Sequence, residues 1–283
     1  MAGARLAFLV HPSWHEHGWI EAIHACTTKR FDAASCFARM DRRPHLVSIV
    51  VPTYNERQNL SRLVDAVAQH LALPYEIIVV DDSSPDGTAD LARDLASKHP
   101  VRVLSRPEKS GLGSAYRDGF AAAKGDLVFE MDADLSHDPR YLSALVEAAL
   151  DGADVVIGSR YVEGGRIVGW NWYRKLVSGV GNGLAKIVLA LGVSDVTSGY
   201  RCYHRDAAAL LQDVRSDGYA FQVEALWLAR RHGLVVREVP ITFENRTVGK
   251  SKLGASEFVA YLETLFRLRL TPKPRRGKPT RVS

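Results

Sequence analysis

Five short apolar runs, alternating with stretches of helical spacing, limit this chain to very few folds. They are Val47–Pro52, Glu76–Asp82, Val101–Leu104, Leu127–Met131 and Asp154–Ser159. Runs this short and this continuously apolar suit strands covered on both faces of a parallel sheet. After the first, Leu60, Leu63, Val64, Val67, Ala68 and Leu71 share one helical face. Further helices are expected over 90–98, over Gly111–Lys124 with Gly125 as the C-cap, and over Pro139–Leu150. The alternation specifies an α/β fold, a doubly wound and mainly parallel sheet flanked by helices. In such sheets the ligand sits beyond the carboxyl ends of the strands.

The polar residues collect at those ends. Tyr54, Asn55 and Glu56 follow the first run, Asp81 and Asp82 close the second, and Asp132 and Asp134 follow the fourth. On a continuing strand, positions i and i+2 point to the same face. Two carboxylates so placed repel each other unless a cation takes both as oxygen ligands. Asp132 and Asp134 are therefore expected to hold a divalent metal, which in turn holds a phosphate. An Asp-rich turn capping the next helix is the plainer alternative.

After Ser159 the alternation stops. A loop is expected over Arg160–Arg166, a long helix over 172–192, a mixed stretch over Ser194–Arg205, and helices over 206–212 and 219–232. One more strand is expected over Val235–Thr242, a polar loop over Phe243–Gly254, and a final amphipathic helix over Ala255–Leu270. This half brings cations to a rim whose first half supplies acids.

The net charge of +5 suggests nucleic acid, but its distribution does not. Residues 1–45 carry six basic and four acidic side chains, and residues 271–283 carry five basic and none acidic. Between them stand 26 basic against 28 acidic side chains, a near-neutral body. A basic tail suits an anionic membrane surface, or simply a solvated, disordered end. The expected organisation is a weakly ordered N-terminal extension over 1–45, a domain over 46–270 and a basic tail over 271–283. His11, His15, His17 and His24 lack the spacing of metal ligands. Three widely spaced cysteines form no disulfide framework and point to a reducing compartment. No run of 18 apolar residues offers a membrane span, and Leu6–Val10 is too short for a secretory signal.

Taken in order, Val50–Glu56, Val79–Thr88 and Met131–His137 resemble the family 2 glycosyltransferases with a GT-A fold. Gly158–Tyr161, Tyr173–Ser178, Gly218–Glu224 and Arg246–Leu253 are similar to the dolichyl-phosphate (polyprenyl-phosphate) mannosyltransferases within them. The resemblance spans roughly 46–270, with 46–159 as the nucleotide-sugar half and 160–270 as the acceptor half. It implies inverting transfer of mannose from GDP-mannose to a polyprenyl (dolichyl) phosphate, giving polyprenyl phosphate β-mannose and GDP. Pro52, Tyr54, Glu56, Val80 and Asp82 would contact the nucleotide. Asp132, Ala133 and Asp134 would face the donor, the two acids holding Mg²⁺ or Mn²⁺. Some relatives have Gln where this chain has Ser136, so the third protein ligand is open and Ser136 is its candidate. Arg246 and Lys252 would close over the donor phosphates. Arg160, Arg174 and Ser178 would bind the acceptor phosphate, with Arg160 counted beside the two acids as catalytic. Glu224 reads as a base or a structural acid, and His137 as a neighbour of the next helix.

A lipid acceptor requires membrane access. The region around Leu184–Leu191 and the final helix, with Phe258, Tyr261, Leu262, Leu265 and Phe266, are expected to meet the bilayer. The protein is expected to be peripheral on the cytoplasmic face of a membrane, held by the surface itself, a small membrane-anchoring subunit, or a membrane acyltransferase or glycosyltransferase. Another polyprenyl-phosphate glycosyltransferase, for example one using UDP-glucose, is the first rival. A non-catalytic sugar-nucleotide-binding membrane module is the second. A dinucleotide-binding oxidoreductase is disfavoured because Gly111-Leu112-Gly113 follows the third strand and lacks the rest of the fingerprint.

Overall fold

The computed structural model describes residues 44–245 and 255–272. The expectations for the N-terminal extension, for Arg246 and Lys252, and for all but the first two residues of the basic tail lie outside that range.

Strand β1 (Val47–Thr53) is buried at every position but Pro52, as a central strand must be. It pairs in parallel with β2 (Tyr75–Asp81) on one side and β4 (Leu127–Glu130) on the other, and β2 pairs in parallel with β3 (Val101–Ser105). The register sets Thr53 opposite Asp81 and Val50 opposite Glu130, so these strands deliver their carboxyl ends to one rim. Side chains alternate across the sheet. Val50, Ile78 and Val80 pack with Tyr116, Phe120 and Phe221 on one face, while Ile49, Val51, Ile77 and Val79 pack with Leu60, Leu63 and Leu142 on the other.

The helices of this half are α1 (Arg57–His70), α2 (Thr88–Leu95), α3 (Leu112–Ala122) and α4 (Leu142–Leu150), the last entered through a 3₁₀ turn at Pro139–Tyr141. Helix α3 stops short of the expected Lys124, and Gly125 is not its cap. The C-cap is Ala123, in an extended conformation. Gly125 is instead a close-approach glycine. A Cβ there would stand 2.4 Å from the Ser48 backbone nitrogen, and the Gly125 N–H donates to Ser48 Oγ at 2.7 Å. Gly125→Ala is expected to lower unfolding free energy by about 1–3 kcal/mol in urea melts, through backbone displacement. An unchanged midpoint would show that the strand end has room to move.

The second half departs from simple alternation. Strand β5 (Val155–Ser159) is parallel to β8 (Val236–Pro240), but β7 (Arg201–His204) runs antiparallel between β4 and β5. The seven-stranded order is β3-β2-β1-β4-β7-β5-β8. The expected single strand over Val235–Thr242 breaks after Pro240. Thr242–Glu244 forms β9, which pairs in parallel with β6 (Arg166–Val168) in a separate two-stranded sheet. Only Arg166 of β6 and Phe243 and Glu244 of β9 fall in segments expected to be loops, and strands of three residues carry no readable alternation. The remaining helices are α5 (Trp172–Leu189), α6 (Arg205–Ala209), α7 (Gly218–Arg231) and α8 (Ala255–Leu270). Among the described residues, no helix is long and apolar enough to cross a membrane.

Candidate active site

Three non-glycine residues with left-handed backbone sit at the rim, one after each of β1, β2 and β4. They are Asn55 (φ 62°), Ser83 (φ 53°) and Leu135 (φ 63°). Such positions cost about 1 kcal/mol or more each and persist only where neighbours over-determine them. Here the Asn55 N–H donates to Ser84 Oγ at 3.0 Å, Ser83 Oγ donates to the Arg106 carbonyl at 2.6 Å, and Ser136 bonds brace Leu135 from its far side. Asp81 organises the second loop by accepting from Thr53 Oγ1, Ser84 N–H and Ser84 Oγ.

Asp132 and Asp134 do not lie on a continuing strand. Strand β4 ends at Glu130, and the two acids occupy the turn that follows. Asp132 is half-buried, whereas Asp134 is buried and accepts from the Ser136 N–H at 3.0 Å and from Ser136 Oγ at 2.5 Å. The candidate third ligand, Ser136, thus has its hydroxyl committed to Asp134. The donor set is two carboxylates, hard oxygen ligands of the type Mg²⁺ and Mn²⁺ prefer. Among the described residues, no three His, Cys, Asp or Glu side chains group as a metal cage. An ion held here would therefore fill its shell from water and a phosphate ligand, which is how Mg²⁺ is commonly bound. Behind the pair, Glu130 is fully buried in register with Arg201, and burial pushes its carboxyl up to about 7 against the pull of Arg201. Its oxygens face Gln222 and Tyr203 without well-aligned hydrogen bonds.

The expected nucleotide contacts divide. Tyr54 is exposed, with Lys109 Nζ 4.2 Å from its ring centre. Pro52 is half-buried, and Glu56 accepts from Asn59 Nδ2 at 2.9 Å. Val80 needs correction: its side chain is fully buried in the core against α3 and offers no surface to a ligand. Asp82 is buried beside Arg106, whose Nη1 lies 2.9 Å from Oδ1. Arg106 also meets Asp118 at 3.1 Å and Ser114 Oγ at 2.6 Å. Burial raises the Asp82 carboxyl, and Arg106 offsets that only in part.

The cationic side is built on aromatic rings. Arg174 stacks on Trp170 at 4.1 Å and donates to Asn245 Oδ1 at 2.9 Å. Ser178, one turn further along α5, shares a 3.1 Å hydrogen bond with the Tyr161 hydroxyl. Arg160 is not a free fork for phosphate. Its Nε and Nη2 both reach Asp195 at 2.7 Å, and Nη2 also donates to Thr197 Oγ1 at 2.9 Å. The bidentate geometry expected for phosphate is spent on a carboxylate 35 residues away in sequence. Its guanidinium still lies 5.4–5.6 Å from the rings of Tyr161, Trp170 and Phe243. Trp170 Nε1 is buried with no hydrogen-bond acceptor among the described residues.

The acidic and cationic sides touch. His137, expected to be a bystander, is buried with Nδ1 3.0 Å from the Asp132 nitrogen. Its ring meets Phe243 edge-on at 5.7 Å, and Phe243 meets Trp170 at 5.5 Å. A continuous wall runs Asp132, His137, Phe243, Trp170, Arg174. Tyr116 completes the acid side, its hydroxyl 3.2 Å from Asp132 Oδ1. A tyrosine on the core face of a helix needs a partner for its hydroxyl, which was the available signal for that contact. Glu224 lies outside this wall. It pairs with Arg267 of α8 at 2.8 Å and accepts from the Ser216 N–H at 2.9 Å, a structural acid.

Residues 48–211, from the first strand through the segment after α6, match the family model described as Glycosyl transferase family 2. The chain belongs to that family. This glycosyltransferase is 45% identical over 215 residues to the polyprenol monophosphomannose synthase of Mycolicibacterium smegmatis, covering 74% of this chain and 81% of that one. It is 40% identical over 225 residues to the dolichol-phosphate mannosyltransferase of Pyrococcus furiosus, covering 78% of this chain. The match takes in 63% of the Pyrococcus protein, so the chain spans under two thirds of that relative's length. Among solved structures, glucosyl-3-phosphoglycerate synthase from Mycobacterium tuberculosis, in complex with Mn²⁺ and uridine-diphosphate-glucose, superposes with a TM-score of 0.60. The identity is 22%, with 86% of each chain covered. At that identity the likeness shows the fold, which is the GT-A type with its mainly parallel sheet between helices.

Proposed function

We propose that this glycosyltransferase moves mannose from GDP-mannose to a polyprenyl phosphate, producing polyprenyl phosphate β-mannose and GDP. The observation that carries the reading is the wall joining the acid pair at Asp132 and Asp134 to the cations at Arg174 and Arg160. A reaction between a diphosphate sugar and a lipid phosphate needs two anion sites side by side, one for each substrate. The two relatives are named for polyprenol and dolichol phosphate mannose chemistry, which supports the sugar and the acceptor class.

Asp132 and Asp134 would hold Mg²⁺ or Mn²⁺, and Mn²⁺ in the superposing synthase complex supports a divalent ion on this fold. Bound there, the ion supplies Lewis-acid neutralisation of the charge on the departing diphosphate. Tyr54, Glu56 and Asp82 line the part of the rim assigned to the nucleotide. Arg174 and Ser178 receive the acceptor phosphate, and Arg160, paired with Asp195, backs the aromatic wall beside them. A phosphate monoester carries about −1.5 to −2 charges at neutral pH. It is already nucleophilic, so no side chain has to take its proton. Attack on the anomeric carbon from the side opposite GDP inverts it.

The membrane reading shifts by a few residues. Leu191, Tyr261 and Leu265, expected at the bilayer, are buried in the core. The exposed apolar face of α5 is Trp172, Tyr173, Leu176, Val180 and Ile187, which share one side of the helix. Trp172 and Ile187 are 76% and 82% exposed. With Arg174, Lys175 and Lys186 on the same helix, this suits an interfacial helix that brings the lipid phosphate to Ser178. The protein acts as a peripheral enzyme on the cytoplasmic face of a membrane.

Calorimetric titration with GDP and with UDP, each with Mn²⁺, tests the donor. GDP is expected to bind at least about tenfold tighter, a difference of about 1.4 kcal/mol. Tighter binding of UDP would overturn the mannosyl assignment in favour of a UDP-sugar enzyme.

A further inference from the structure

Asp132 lies beyond the last ladder bond of its strand. That bond joins the Met131 N–H to the Val50 carbonyl at 3.2 Å, and the chain then enters the turn through Leu135. The sheet therefore does not orient the Asp132 carboxylate, and side chains must.

Two buried side chains do so. The Asp132 N–H donates to His137 Nδ1 at 3.0 Å, which in the neutral ring leaves the proton on Nε2. Nε2 stands 3.8 Å from Asp132 Oδ2, past hydrogen-bond length but adjacent to it. On the other oxygen, the Tyr116 hydroxyl donates to Oδ1 at 3.2 Å. Neither ring is loose. His137 stacks on Tyr200 at 5.0 Å and meets Phe243 edge-on. Tyr116 stacks with Phe120 at 5.9 Å and with Phe221 at 5.8 Å, and is fully buried. Fixed rings thus hydrogen-bond Asp132 at its backbone N–H and at Oδ1, and the His137 ring stands beside Oδ2.

We propose that His137 and Tyr116 are positioning residues that hold Asp132 in the orientation a divalent cation requires. The assignment rests on the reading of Asp132 and Asp134 as metal ligands. Carboxylates that ligate metals are themselves held by hydrogen bonds, and losing such a partner typically costs 10–100-fold in affinity, so a loss of about that size is expected here. Tyr116 lies on α3 and His137 in the turn after β4, so two separate elements converge on one carboxylate.

The test is a titration with Mn²⁺ in the presence of GDP, followed by electron paramagnetic resonance of the free ion, on the full chain. Tyr116→Phe removes one oxygen and keeps the ring packing. It is expected to weaken Mn²⁺ binding about tenfold or more with no change in melting temperature. His137→Phe keeps a ring on Tyr200 but has no acceptor for the Asp132 N–H, and is expected to lose as much. His137→Asn sets an amide oxygen near the place of Nδ1 and is expected to recover part of that loss. A purely structural role for His137 predicts the reverse order, with Phe close to the unaltered protein and Asn worse, and that order overturns the assignment. Unchanged Mn²⁺ affinity in Tyr116→Phe overturns it as well. If the unaltered protein binds no Mn²⁺, the metal reading falls and this assignment falls with it. Binding by the unaltered protein with unchanged variants defeats only the positioning roles.

Discussion

Asp134→Asn is expected to lower transfer by about 10²–10³-fold, the loss seen when one electrostatic stabiliser of a developing charge is removed. Asn is the informative change because Asp134 has two jobs. It would be an oxygen donor to the proposed cation at the rim, and it accepts both the N–H and the hydroxyl of Ser136, which braces the left-handed Leu135. An amide oxygen keeps accepting from Ser136, while the charge that would hold the cation is gone. The melting temperature is therefore expected to stay within a few degrees of the unaltered protein, a cost of about 1 kcal/mol or less. Asp134→Ala removes both jobs and confounds them. Full turnover by Asp134→Asn would mean that the acid pair is a capping turn and nothing more.

Asp195→Ala is expected to destabilise the fold by about 3–5 kcal/mol, because it leaves the buried Arg160 guanidinium without its counter-charge. Asp195 is fully buried, and both of its oxygens bond Arg160. Burial alone would raise this carboxyl, but the hydrogen bonds and charge of Arg160 outweigh it and hold it below the usual range. A carboxyl depressed on folding contributes stability that is complete above its unfolded value, about pH 4, and is lost as pH falls through the folded value. The gap between the unaltered protein and Asp195→Ala in guanidinium unfolding should therefore be full at pH 7 and shrink in strong acid. Adding Arg160→Met to Asp195→Ala should restore much of the loss, since a buried pair replaced as a pair by apolar groups is often neutral. A gap under about 1 kcal/mol at pH 7 would show that solvent reaches the pair and screens it.

Those two aspartates mark the limit of what one sequence reveals. Asp134 was readable because it stands two residues from Asp132 just past a run too apolar to be anything but a buried strand. Strands β1, β2 and β4 were readable for the same reason, and once parallel they had to share a rim. Asp195 was not readable. It pairs with Arg160 across 35 residues, and no local pattern tells a surface acid from one that closes on a guanidinium in the core. The reversed strand β7 escaped because it is four residues long, with Arg201 at one end and His204 at the other. The full burial of that arginine depends on the carbonyls of Val196, Ser198 and Gln222, which only the fold assembles. Gly125 was misread because a helix-ending glycine and a close-approach glycine look alike until Ser48 is seen beside it. His137 was set aside because its neighbours in sequence explain it adequately, while its neighbours in space, Tyr200 and Phe243, lie 63 and 106 residues further on.

The central claim is that the rim of acids and the wall of rings and cations serve one transfer, from GDP-mannose to a lipid phosphate. Radiolabelled GDP-mannose, UDP-glucose and UDP-galactose, each supplied separately with a polyprenyl phosphate and Mg²⁺, test it directly. Label is expected to enter the organic phase from GDP-mannose, and only when the polyprenyl phosphate is present. Label entering that phase only from a UDP-sugar, or from none of the three, would contradict the account.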